Sequence, residues 1–161
     1  MNEDQIYACI QSLGAEAIRR YRGCRRINEL PTNMKNGEFV VLHSSPQGGH
    51  NIGHWTVLFF GTIHANDTSL NYFDSFGLWP LSPTFIERCL EKAPFIMYNN
   101  ICLQSIFSDS CPYHVLYTVY HWLNGMSLLE ILSQKYDINT QSSCKNDQIV
   151  ELFFHNTFSH H

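Results

Sequence analysis

Charge is what this chain has least of. Only 15% of its 161 residues are Asp, Glu, Lys or Arg, against roughly 25% in an average globular domain. With 44% apolar and 14% aromatic residues beside that deficit, a disordered, solvated chain is excluded and a substantial core is expected. Long hydrophobic runs are missing too: no stretch reaches the ~18 uncharged apolar residues of a membrane span. The opening MNEDQIYACI is acidic and polar, unlike a secretory leader, so the expectation is a soluble intracellular protein with no membrane partner. Cys9, Cys24, Cys89, Cys102, Cys111 and Cys144 include no CxxC pair. A disulfide framework is therefore not expected. Zinc is not expected either, since no second ligand pair accompanies Cys111 and His114. The pattern requires no metal and no cofactor. A net charge of −4 argues against a dedicated nucleic-acid binder.

One stretch departs from that balance. Arg19, Arg20, Arg22, Arg25 and Arg26 are five of the ten basic residues, all within eight positions. They read either as a solvated face after the first helix or as a patch for nucleic acid, phosphate or an acidic partner.

The length suits one domain, 1–161. Asn2, with Gln5 three residues on, marks a capped helix over 3–13 that buries Ile6, Cys9, Ile10 and Leu13. Residues 28–37 read as loop, EFVVLH as a short strand, and SSPQGGHNIG as a glycine-rich connection. HWTVLFF, 54–60, is apolar on both faces and suits a central strand. SLNYFD, 69–74, is a second strand, and a helix opens at Ser82 or Pro83 and stops before Pro94. FIMYNNICLQ, 95–104, is a further strand. Helices follow over 111–123, 127–135 and 146–158. Strands in the middle with helices at both ends make an α+β fold.

The chemistry concentrates in LQSIFSDSCPYHVL, 103–116. Pro112 fits the first helical position, where its missing N–H costs nothing. Cys111 then becomes the N-cap, with its sulfur in the positive field that favours a thiolate. If 54–60 and 69–74 pair as an antiparallel hairpin with Phe60 opposite Thr68, His54 falls directly opposite Asp74 on one face. The carboxylate then orients the imidazole and steadies its charged form. A cysteine nucleophile, a histidine base, an orienting aspartate and Gln104 as an oxyanion donor would form a complete set. A plainer reading exists for each: a buried small cysteine, a satisfied strand histidine, a turn aspartate. His114, one turn from Cys111, is a rival base with nothing to orient it, and Asp109 is a rival acid.

GHW at 53–55, YFDSFG at 72–77 and QSIFSDSC at 104–111, in that order, resemble the adenain family of cysteine proteases, the adenovirus maturation enzymes. The SUMO-specific proteases are related to these. EDQIYACIQSLG at the start and KNDQIVELFFHNTFSHH at the end are similar to the first and last helices of that family.

The resemblance implies a single peptidase domain of the adenain/SUMO-protease type: a mixed or antiparallel central sheet flanked by helices, with the nucleophile at a helix N-terminus. It implies Cys111 as nucleophile, His54 as base, Asp74 as its orienter and Gln104 as oxyanion donor. Trp55, with Gly53, would line a narrow substrate channel; the plainer reading of Trp55 is a core aromatic. It further implies cleavage after glycine in Gly-Gly or Gly-X-Gly sequences, substrates among viral core or capsid precursors, and a place in the host nucleus and virion. Family members use an activating peptide and DNA. Here the corresponding position, around Ala93, has no cysteine to carry such a peptide, Cys89 and Cys102 being the substitutes at hand, and the chain is acidic; DNA, if used, would meet the Arg19–Arg26 cluster. The family has Gly where this chain has Pro112. Two other functions fit the same fold: an isopeptidase acting on ubiquitin-like proteins, and a catalytically silent binding module.

Overall fold

Short-range chemistry sets most element boundaries in the computed structural model, which describes residues 1–44, 53–64, 68–80, 82–138 and 143–158. The glycine-rich stretch expected between the first two strands lies largely outside those residues, at 45–52. Helix α1 (Glu3–Ser12) begins with the expected capping box: the Asn2 side chain accepts from Gln5 N, and Gln5 Oε1 accepts from Asn2 N at 2.8 Å. Gly14, at φ 102°, breaks this helix and caps the next, α2 (Ala15–Arg20). Neither α2 nor the strand after it, β1 (Tyr21–Arg26), follows from the sequence reading, which took Arg19–Arg26 as a solvated face or a binding patch. Arginine-rich, glycine-broken YRGCRR has little strand propensity of its own; pairing with β2 (Glu38–Ser44) makes it a strand. It forms the sheet edge, where exposed Arg25 and Arg26 discourage pairing with another chain.

The sheet has five strands in the order β1-β2-β3-β4-β5. β2 runs antiparallel to β3 (His54–Phe60), and β3 antiparallel to β4 (Leu70–Phe73). The two outer pairs, β1 with β2 and β4 with β5 (Ile96–Tyr98), are parallel, so the sheet is mixed. HWTVLFF occupies its centre, as its two apolar faces require. Strand alternation sends Phe39, Val41, Val57, Phe59 and Phe73 to one face, which packs with Ile6 and Ile10 of α1 and with Val115, Val119 and Trp122 of α4 (Cys111–Leu123). Val40, Leu42, Leu58, Leu70 and Tyr72 form a second core with Phe85 and Cys89 of α3 (Pro83–Leu90). Helices α5 (Leu128–Lys135) and α6 (Ser143–Phe158) complete the layer over α4. The fold is a mixed α+β domain.

Two boundaries differ from the sequence reading in ways that matter below. Phe60 pairs with Leu70, not Thr68, so the β3–β4 register is displaced by two residues. The connection is longer than expected: Gly61 N donates to Ser69 O, and the strand starts at Leu70. An even displacement leaves side chains on their original faces. The residue before α4 that caps it is Ser110, with Cys111 already inside the first turn. Pro112 thus sits at the second helical position, where its missing N–H is still unneeded.

β5 is also shorter than the stretch 95–104 suggested, because the chain leaves β4 after three paired residues and folds back over the 74–77 turn. That turn closes with Gly77 N donating to Asp74 O at 2.8 Å, and Leu103 N and Gln104 N both donate to Ser75 O. Gly77 has φ 70°, and a Cβ there would stand 2.6 Å from the Ile101 carbonyl carbon and oxygen. Only glycine lets the two segments approach this closely. Gly77→Ala is therefore expected to cost about 2–3 kcal/mol and to lower Tm by roughly 5–10 °C in thermal denaturation; an unchanged Tm would show that the turn tolerates a side chain.

Candidate active site

The site lies where the ends of β3 and β4 meet the start of α4. His54 opens β3 and Asp74 follows the last residue of β4. In the observed register they are diagonal rather than directly opposed, a spacing long side chains bridge. His54 Nε2 donates to Asp74 Oδ1 at 2.8 Å. The same Oδ1 accepts from Phe76 N at 2.8 Å, and the Phe76 ring stands 4.9 Å from the His54 ring. Asp74 is clamped from behind: Asn99 Oδ1 accepts from Asp74 N, and Asn99 Nδ2 donates to Asp74 O. One buried amide thus satisfies both backbone groups of the residue that carries the carboxylate.

Burial is the largest influence on the His54 ring and works against its charge. The hydrogen bond to Asp74 and the interaction with the Cys111 thiol outweigh it and raise the pKa to about 9. With Nε2 committed to Asp74, Nδ1 is the nitrogen left for sulfur. Cys111 is buried in the first turn of α4. Its backbone N–H belongs to the set that no helix satisfies internally.

Gln104 is buried with its amide held at both ends. Ser75 Oγ donates to Oε1 at 2.6 Å, and Nε2 donates to Ser108 O at 2.8 Å. A carbonyl can only accept, so this contact fixes which end of the amide is nitrogen. One N–H is used there and the second remains for another acceptor. Thiol, imidazole, carboxylate and a fixed amide donor together can support nucleophilic acyl transfer.

The other expected site residues lie elsewhere in the arrangement. Trp55 is only 5% exposed, its indole N–H donating to Met1 O and its ring 4.5 Å from that of His43. It packs in the core beneath the amino terminus rather than facing an open channel. Gly53 lies against the His43 imidazole, which a Cβ would overlap. The arginine cluster is divided: Arg19 and Arg20 pair with Glu16, and Arg22 with Glu38, while Arg25 and Arg26 project from the edge strand. Among the described residues no group of three His, Cys, Asp or Glu could hold a metal ion, and no helix is long and apolar enough to cross a membrane.

His114 is not without an orienting group. Its Nε2 donates to Asp147 Oδ1 at 2.9 Å, the ring is fully buried, and it stacks on Tyr136 at 12°. Sequence reasoning also passed over Asn99, Ser75, Ser110 and Asp147. Each acts through a partner 25 or more positions away, a distance at which no local spacing signals them.

The fold of this chain recurs among solved structures. Among solved structures it is similar to the crystal structure of the pS273R protease of ASFV, with a TM-score of 0.51 and 19% sequence identity over 78% of this chain. The match spans 44% of that chain, so this protein covers less than half the length of its structural neighbour. At that identity the likeness concerns the fold. No family model matches the sequence, and no curated protein matches it.

The His54 pKa fixes a sign. In the unfolded chain a histidine titrates near ~6.5; in the fold it titrates at about 9. The stabilisation from this pair is thus complete below ~6.5 and lost as pH rises through about 9. Denaturation of wild type and His54→Asn across pH 6 to 10 is expected to show a wild-type advantage that shrinks over that window. A difference that grows with pH would contradict the assignment of Asp74 as its partner.

Proposed function

We propose that the chain is a cysteine endopeptidase of the adenain and SUMO-protease type, cleaving after glycine during maturation of viral precursor proteins. The observation that carries this reading is the 2.8 Å bond from His54 to Asp74 on an imidazole that also interacts with Cys111 at the head of α4. The protease fold shared with the ASFV enzyme supports the reaction class. The order of GHW, YFDSFG and QSIFSDSC supports the adenain type, and with it the glycine preference.

In this mechanism the Cys111 sulfur attacks the carbonyl carbon of the scissile peptide bond. The oxyanion is held by the Cys111 N–H and the free amide N–H of Gln104. The C–N bond breaks as His54 passes its proton to the leaving amine, leaving a thioester. Neutral His54 then takes a proton from water, whose oxygen attacks the thioester; the C–S bond breaks, releasing the acid and restoring the Cys111 thiolate beside protonated His54. Asp74 keeps the ring oriented and compensates its charge in both steps. Pro112 removes no donor from this scheme, because the amide needed is that of Cys111.

The test is hydrolysis of Gly-Gly peptides by wild type and Cys111→Ala. Loss of activity by at least ~10³-fold is expected for removal of a nucleophile; undiminished cleavage would end the proposal. In parallel, a C-terminally activated ubiquitin or SUMO probe is expected to label Cys111 poorly, and rapid labelling would move the substrate class to ubiquitin-like proteins.

A further inference from the structure

A second histidine–aspartate pair lies behind the first and takes no part in the scheme above. Asp147, on α6, reaches the loop between Gln104 and Cys111 at both of its ends. Its Oδ2 accepts from Ser105 N at 3.1 Å, the residue next to Gln104. Its Oδ1 accepts from Ser110 Oγ at 2.6 Å, the residue next to Cys111, and from His114 Nε2 at 2.9 Å. Inside the loop, Ser108 Oγ donates to Ser105 O and stands 2.9 Å from Ser110 Oγ, while Ser108 O receives the Gln104 amide. Ser105, Ser110, His114 and Asp147 are all buried.

We infer that Asp147, supported by His114, is the positioning residue of the oxyanion site: one carboxylate on the last helix fixes both the loop that aims the Gln104 amide and the start of the helix that presents the Cys111 N–H. The two donors come from opposite ends of a loop whose tip, Ile106 and Phe107, is 74% and 91% exposed. The tip packs against little, so the distance between the donors depends on what ties the two ends. Asp147 binds both from outside the loop. Its carboxylate accepts three hydrogen bonds, all from groups that only a well-formed loop and helix start bring together. A neutral amide in its place would turn an N–H toward at least one of those donors. The inference rests on the protease reading, because an oxyanion site matters only to acyl transfer.

Alkylation and acyl transfer separate this role from a merely structural one. Alkylation of Cys111 by iodoacetamide needs the thiol and His54 but develops no oxyanion. In Asp147→Asn, kcat on the Gly-Gly peptide is expected to fall about 10- to 100-fold with KM within about threefold, while the iodoacetamide rate stays within about threefold of wild type. Ser110→Ala, which removes one of the three bonds, is expected to show the same pattern with a smaller fall in kcat, and it carries the test if Asp147→Asn does not fold. An unchanged kcat, or alkylation and kcat falling together, would overturn the inference. If wild type cleaves no peptide, the protease reading fails by itself. The tie is then judged by amide hydrogen exchange at Ser105, where faster exchange in Asp147→Asn at unchanged Tm sustains it and equal exchange removes it.

Discussion

A mostly buried imidazole keeps a proton at neutral pH only if a carboxylate stands beside it, and the contact of His54 with Asp74 supplies that condition. Several features of the fold serve to make this one contact. β3 must begin at His54 and β4 stop just before Asp74, side by side in the sheet. Asn99 must turn back from β5 to hold the Asp74 backbone, and Gly77 must let the 101–104 segment pass within van der Waals reach of the turn. The same turn offers Ser75, whose carbonyl and hydroxyl both hold Gln104. Asp74 and Gln104 are thus parts of one hydrogen-bonded corner, and disturbance of the turn reaches the His54 partner and the Gln104 amide together.

Polar groups are buried around the site in unusual density for a chain with so little charge. Asp74, Ser75, Asn99, Gln104, Ser105, Ser110, His114 and Asp147 are all buried. Such a network stabilises a single geometry only when its members are satisfied. Here nearly every donor and acceptor has a named partner. The exception among the described residues is His114 Nδ1, on the ring whose other nitrogen faces Asp147. α6 contributes the carboxylate that ties the loop, which gives the last helix a share in the site although it lies 36 positions beyond the cysteine.

The strands and helices written in local pattern were legible: the capping box of α1, the doubly apolar β3, and α4 from its proline to its end. The pairing of His54 with Asp74 was legible for a reason that did not need the correct register. The register is displaced by two, and parity alone keeps both side chains on one face. What escaped was held by partners distant in sequence. YRGCRR becomes β1 because β2 offers it an open edge, and α2 forms on the six residues between a glycine and that strand. Ser110 caps α4 in place of Cys111. The aromatic after the histidine, Trp55, has the sequence position of a channel wall, but alternation turns it into the core under Met1.

Two histidines of this chain pair with aspartates near one cysteine, and their surroundings divide the roles. His114 is fully enclosed and stacked on Tyr136, and burial, the dominant influence, lowers its pKa despite Asp147. Asp74 gives one oxygen to His54 and Phe76 N, and His54 keeps a partly solvent-facing edge together with the interaction of the sulfur. The consequence is opposite charge states at neutral pH: His54 protonated and able to give its proton to a leaving group, His114 neutral and able only to hold its place. One motif, an imidazole against a carboxylate, thus leaves a transferable proton in one case and a fixed neutral ring in the other. What separates them is how deeply each ring is buried and whether a sulfur stands beside it.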